Sequence, residues 1–166
     1  MRSLPLRVSP LATLLLGASV LIAGCGAGKT EQQASSPGAA ATAGSDLTPF
    51  QLENGIGPVT EVVSVGPIDK ELAEEGEKLF TTKCSACHKM AERYVGPPLG
   101  EVTIRRAPAF IMNQILNPDG MYTKHPVVKQ LLGEYMTQMP NLGLTRDQAR
   151  QVLEYLRTQA PSKAAS

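Results

Sequence analysis

Tryptophan is absent from this 166-residue chain, histidine occurs twice, and cysteine three times. The scarcity of metal-binding side chains has an immediate consequence. A zinc centre normally takes four ligands, and Cys84, Cys87 and His88 leave only the remote His125 to complete a set. Adjacent Cys87 and His88 would also have to reach one metal together, which argues against zinc. The chain has no run of lysine or arginine, and its formal charge of +1 lacks the basic excess of a nucleic-acid binder. No alternating apolar pattern marks a sheet in the C-terminal hundred residues, which read as all-α. Nor is there an apolar run of bilayer length, since Leu11 to Ile22 is too short for a comfortable span.

That short run has a different meaning. Arg2 and Arg7 precede it, and LIAG stands directly before Cys25, so residues 1–24 read as an export signal. Ala23 and Gly24 before a cysteine resemble the lipobox of bacterial lipoproteins. That resemblance implies cleavage before Cys25 and a diacylglycerol on its sulfur. Loss of Arg2 and Arg7 then turns the formal +1 into −1. Two or three acyl chains anchor a protein almost permanently without spanning the bilayer. Residues 25–46 are small and polar, without apolar periodicity, and read as a lipidated flexible tether. Residues 47–66 carry Phe50, Leu52, Ile56, Val59, Val62, Val63 and Val65, too apolar for a free linker, and are expected to lie along the domain as an extended strap. A short strand in VTEVVSV is the alternative there.

The domain proper spans 67–160, with 161–166 as a disordered tail. A first helix is capped by Asp69 and runs through KELAEEGEKLFTTKC. A last helix opens at the capping box of Thr145 and Gln148 and stops before Pro161. Two more, around Ile111 and Leu131, are bounded by prolines.

Chemistry is concentrated in KCSACHKM, Lys83 to Met90. In an exported chain a C-x-x-C pair can be a thiol-disulfide switch, but that needs a βαβ frame, and none is visible. C-x-x-C-H is otherwise the attachment site of a c-type haem. Two thiols three residues apart on a helical turn can add to the two vinyl groups of one porphyrin edge. The next residue then presents an imidazole to the iron.

GEKLF at Gly76 to Phe80, CSACH at Cys84 to His88, GPPLG at Gly96 to Gly100, MPN at Met139 to Asn141 and VLEYL at Val152 to Leu156 resemble class I, mitochondrial-type, cytochrome c over Ile68 to Gln159. The resemblance implies a cytochrome c fold of three to five helices wrapped around one covalent haem c. It implies that Gly76 lets the first and last helices cross closely, with Phe80, Val152 and Tyr155 at the crossing. The carbonyl of Pro97 would orient the His88 ring.

A second axial ligand is sought among Met90, Met112, Met121, His125, Met136 and Met139. Met90 follows its histidine too closely; Met112 and Met136 occupy apolar helical positions where core filling is expected. Met121 stands in a loop and remains possible. Met139, at a helix end before Pro140 and 51 residues beyond His88, leaves enough chain to circle a porphyrin and matches the family's ligand motif. His125 competes, although KHP is expected to begin a helix in solvent. Tyr94, Arg105, Arg106, Asn113 and Tyr122 are candidates for the haem propionates. Between Lys83 and Lys129 seven basic residues face three acidic ones, an excess suited to an acidic partner.

The expectation is a monomeric, membrane-anchored electron carrier facing the periplasm, not an enzyme. Its redox partner would be a terminal oxidase or a copper-containing reductase, with no nucleic acid involved. The alternative is a haem protein with bis-histidine or labile sixth ligation, acting as sensor or enzyme subunit.

Overall fold

The computed structural model describes residues 46–161, and everything there is helix or irregular chain, without strands. The expected signal segment, Cys25, the tether before Asp46 and the tail after Pro161 lie outside the described residues. Seven helices occur among them: α1 (Pro49–Asn54), α2 (Lys70–Lys83), α3 (Val102–Arg105), α4 (Pro108–Leu116), α5 (Pro118–Lys124), α6 (Pro126–Tyr135) and α7 (Arg146–Gln159). The all-α expectation holds, but the number exceeds three to five. The surplus elements α1, α3 and α5 are four to seven residues long, too short to show an apolar period in sequence.

Helices α2 and α7 form the frame. Asp69 caps α2 by accepting from the Leu72 N–H, and the Thr145–Gln148 capping box opens α7. They cross at Gly76, where a Cβ would lie 2.0 Å from the Gln151 carbonyl oxygen and 3.0 Å from Tyr155 Cβ. Only glycine permits that approach. Phe80 and Tyr155 pack beside it with ring centroids 5.3 Å apart. Across α7, the fully buried Glu154 is held by Arg150 at 2.6 Å and Arg157 at 2.6 Å. Arg157 also donates to the Gly66 carbonyl, which ties the chain before α2 to α7.

Proline sets the path of α4, α5 and α6. Pro108, Pro118 and Pro126 each stand at a first helical turn, where the missing N–H costs nothing. A residue before proline is disfavoured in helical geometry, and Ala107, Asn117 and His125 all lie outside it. Each X-Pro step therefore ends one helix and aims the next.

Residues 46–66 pack on the domain with α1 and an irregular run, and none of VTEVVSV is strand. Thr48 and Gln51 form a capping box on α1 that neither composition nor periodicity had suggested. The chain is held through its backbone by residues spaced four apart. Asn113 Oδ1 accepts from the Val59 N–H, and its Nδ2 donates to the carbonyls of Asn54 and Val59 at 2.9 Å each. Asn117 Nδ2 donates to the Ile56 carbonyl, Met121 Sδ accepts from the Ile56 N–H, and His125 Nε2 contacts the Leu52 carbonyl. Gly57 is required there, because a Cβ would come within 2.3 Å of Asn113 Oδ1.

Candidate haem site

The end of α2 builds the attachment motif. The Cys84 carbonyl accepts from the N–H groups of Cys87 at 3.0 Å and His88 at 2.9 Å, so both thiols and the imidazole leave one continuing turn. The chain then folds back on itself, with Gly96 donating to the Cys87 carbonyl, Leu99 to Lys89 and Gly100 to Met90. This return brings the Pro97 carbonyl oxygen to 3.0 Å from His88 Nδ1. A carbonyl only accepts, so Nδ1 carries the proton and Nε2 is left with its lone pair, the tautomer that binds a metal. A Cβ at Gly96 would stand 2.5 Å from His88 Cε1, so the turn can close over the ring only with glycine. Burial pushes the His88 pKa below its ordinary value, with the Pro97 contact opposing, which favours the neutral ring.

Burial raises the Cys84 thiol, and nearby Cys87 adds to this. A reactive redox pair needs a stabilised thiolate, and the surroundings of Cys84 disfavour one. The βαβ frame of such proteins is also missing among the described residues. No group of three or more His, Cys, Asp or Glu that could hold a metal ion occurs among them either.

Cys84, Cys87, His88, Pro97 and Met139 all line one cavity of about 410 Å³, together with apolar side chains of α2, α4, α6 and α7 such as Phe80, Phe110, Ile111, Leu131 and Val152. Two thiols, an imidazole and a thioether on the walls of an apolar cavity suit a c-type haem. Basic Lys83, Arg105 and Arg106 are on the same wall, and no acidic residue is. Tyr122 joins them there. Tyr94 instead lies under Lys89 and off the wall. Asn113 is not available to a propionate, because the strap backbone occupies its whole amide.

The other ligand candidates separate cleanly. Met139 is half-buried in the irregular segment between α6 and α7, not at a helix end as expected, because Met136 adopts a left-handed conformation (φ 52°) that stops α6 at Tyr135. The same turn throws Met136 outward, 83 % exposed, so it does not fill the core. Met112 is buried in the core. Met121 lies in α5 rather than a loop and is buried against Ile56, outside the cavity. His125 does begin a helix, but buried rather than in solvent: it packs edge-on to Phe110 at 5.1 Å and bonds Leu52, away from the cavity wall.

Two contacts, one in the cavity and one at the surface beside it, carried no sequence signal. Gln114, one turn from Phe110 on α4, places Nε2 3.6 Å from Met139 Sδ. Arg93, in the loop after the motif, donates to the Glu134 carboxylate at 2.8 Å and carbonyl at 2.7 Å, and stacks 4.1 Å over Tyr135. It joins the loop after His88 to the end of α6.

Comparison with known proteins agrees with this construction. The family model described as cytochrome c matches residues 73–160. Cytochrome c from Rhodothermus marinus is 53 % identical, covering 68 % of this chain and 97 % of its own, with a TM-score of 0.64. An engineered cytochrome c from the same organism is 52 % identical, covering 68 % and 98 %, also with a TM-score of 0.64. The same engineered protein bound to a carbene intermediate gives 52 % identity, the same coverage and a TM-score of 0.61. No curated protein matches the chain. The chain belongs to the cytochrome c family: it is a class I monohaem cytochrome, an electron carrier with one covalently bound haem c.

Proposed function

We propose that this cytochrome is a lipid-anchored periplasmic carrier, with haem c joined to Cys84 and Cys87 and its iron ligated by His88 and Met139. The observation that carries this reading is the convergence of those four side chains on one apolar cavity. When bound, the haem supplies one-electron chemistry between two iron states. The polypeptide does the rest. The Pro97 carbonyl holds the imidazole in its ligating tautomer, and the walls exclude water. A soft thioether favours the ferrous state and so raises the potential, where a second imidazole would lower it. His125 does not suit that role, since Nε2 is engaged by Leu52.

The anchor reading rests on Ala23, Gly24 and Cys25 after an apolar stretch. Attachment at Cys25 would confine the carrier to a membrane surface, within reach of a respiratory partner such as a terminal oxidase or copper-containing reductase. Lys83, Arg105 and Arg106 on the cavity wall suit an acidic docking face, with association that weakens as salt rises.

The oxidised protein is expected to show the weak near-infrared methionine-to-iron band, and Met139→Ala to abolish it. A wild-type spectrum without that band overturns the ligand assignment. Rapid carbon monoxide binding to the reduced protein would favour a labile sixth site and an enzyme or sensor. Mass spectrometry of exported protein should show one haem plus the lipid increment on a chain beginning at Cys25, and an unmodified Cys25 would remove the anchor.

A further inference from the structure

The amide of Gln114 is unusual among the polar groups of this domain. Its Oε1 is buried and has no hydrogen-bond partner, while its Nε2 lies 3.6 Å from Met139 Sδ. A buried, unpaired carbonyl costs about 1–3 kcal/mol, so the position holds a group at odds with its own stability. Leucine would fill the same space without that cost. Such residues are expected where function opposes stability.

The amide can be turned only one way. Rotating it would set Oε1 against a sulfur that is itself an acceptor, so the N–H must face the thioether. A thioether has two lone pairs, and when one is given to iron the other remains for a donor. We propose that Gln114 is a positioning residue for the redox centre, its Nε2–H engaging the second lone pair of Met139 and holding the thioether to its task. This deepens the His88/Met139 assignment and rests on it.

Two consequences follow from the chemistry. Donation to sulfur withdraws electron density from it, which disfavours ferric iron relative to ferrous and raises the potential. It also restrains Met139, itself half-buried in a segment that carries no helix and is otherwise largely exposed, against departure from the metal. Both effects are modest, because sulfur is a weak acceptor. A roughly threefold shift of the ferric–ferrous equilibrium is expected, about 28 mV at 59 mV per tenfold.

The test uses haem-loaded protein and the variant Gln114→Leu, with Gln114→Asn, one methylene shorter, as the second variant. Potentiometry, the near-infrared band and titration of the ferric protein with imidazole are read together. The expected result for Gln114→Leu is a retained band, a potential lowered by the threefold shift, imidazole binding tightened about threefold or more, and a thermal midpoint equal to or above wild type. Gln114→Asn should move potential and imidazole affinity in the same direction, and it carries the test if the leucine variant fails to load haem. A structural spacer would instead lower the thermal midpoint and leave potential and imidazole affinity unchanged, which overturns the proposal. If wild-type protein lacks the methionine band, the ligand assignment itself fails; if the band is present and both variants match wild type in potential and imidazole binding, only the role of Gln114 fails.

Discussion

Asn113 and Gln114 are consecutive amides on α4, and they face opposite conditions. Asn113 is completely buried and has both N–H groups and its oxygen engaged by the backbone of Asn54 and Val59. Gln114 borders the haem cavity, with one donor near a sulfur and an oxygen that bonds to nothing. One α4 face is therefore built for stability, with every polar group satisfied, and the other tolerates a penalty beside the redox centre. The strap never reaches the cavity wall. It acts from behind, fixing the helix whose other face carries Gln114, Phe110 and Ile111.

Both faces depend on the crossing of α2 and α7, so the largest expected effect comes from breaking it. Gly76→Val should cost several kcal/mol or prevent folding, because the clash is with the backbone of Gln151, which cannot move aside as a side chain can. Recovery of soluble, haem-loaded protein of normal thermal midpoint would show that the helices can separate.

Next in size is the strap face. Asn113→Leu strands the Val59 N–H and two carbonyls in the interior, a loss of about 3 kcal/mol or more. For a domain of this size that lowers the melting temperature by roughly 10–20 °C. The redox potential and the methionine band should stay near wild type, since Asn113 does not touch the cavity. A large change in potential with little change in melting would reverse the assignment of the two faces.

A pH series sharpens the same contrast. Burial depresses the pKa of His125 below its ordinary 6.5, opposed by the carbonyls of Leu52 and Gln51 and reinforced by Arg106. Its buried Nδ1 has no partner to receive a proton's charge. The unfolded chain therefore takes up the proton first as pH falls, so stability present above about pH 6.5 is progressively lost below it. Melting temperature should drop between pH 7.5 and 5.5, and His125→Gln should flatten that slope. An unchanged slope would remove His125 as the acid-sensitive point of the strap.

The smallest effect belongs to the surface. Arg93→Ala removes an exposed pair with Glu134 together with the contacts to its carbonyl and to Tyr135, and should cost about 1 kcal/mol or less, read by denaturant melting. A larger loss would mean that the join between the loop after His88 and the end of α6 matters as much as the strap.

Legibility in the sequence follows from the range of each interaction. The caps at Asp69 and Thr145 act over three residues, and the turn Cys84–His88 spans five, so their chemistry could be read in order along the chain. Gly76 and Pro97 were reached only through resemblance, because what they do depends on a distant partner: Gln151 in one case, a ring nine residues away in the other. Met136 and Met121 were misjudged for related reasons. A left-handed residue ended a helix early in one, and a helix too short to show periodicity enclosed the other.

The sequence by itself determined the local chemistry: an all-helical domain, the thiol and imidazole geometry of one turn, the proline-punctuated path of α4 to α6. Only the tertiary structure decided which side chains meet across that path. It set Asn113 against the strap, Gln114 against Met139, Glu154 between two arginines and His125 away from the cavity. The physical reason is that a side chain's partner is chosen by packing over tens of residues, and a free amide or imidazole looks the same in sequence whether it will be satisfied or left unpaired.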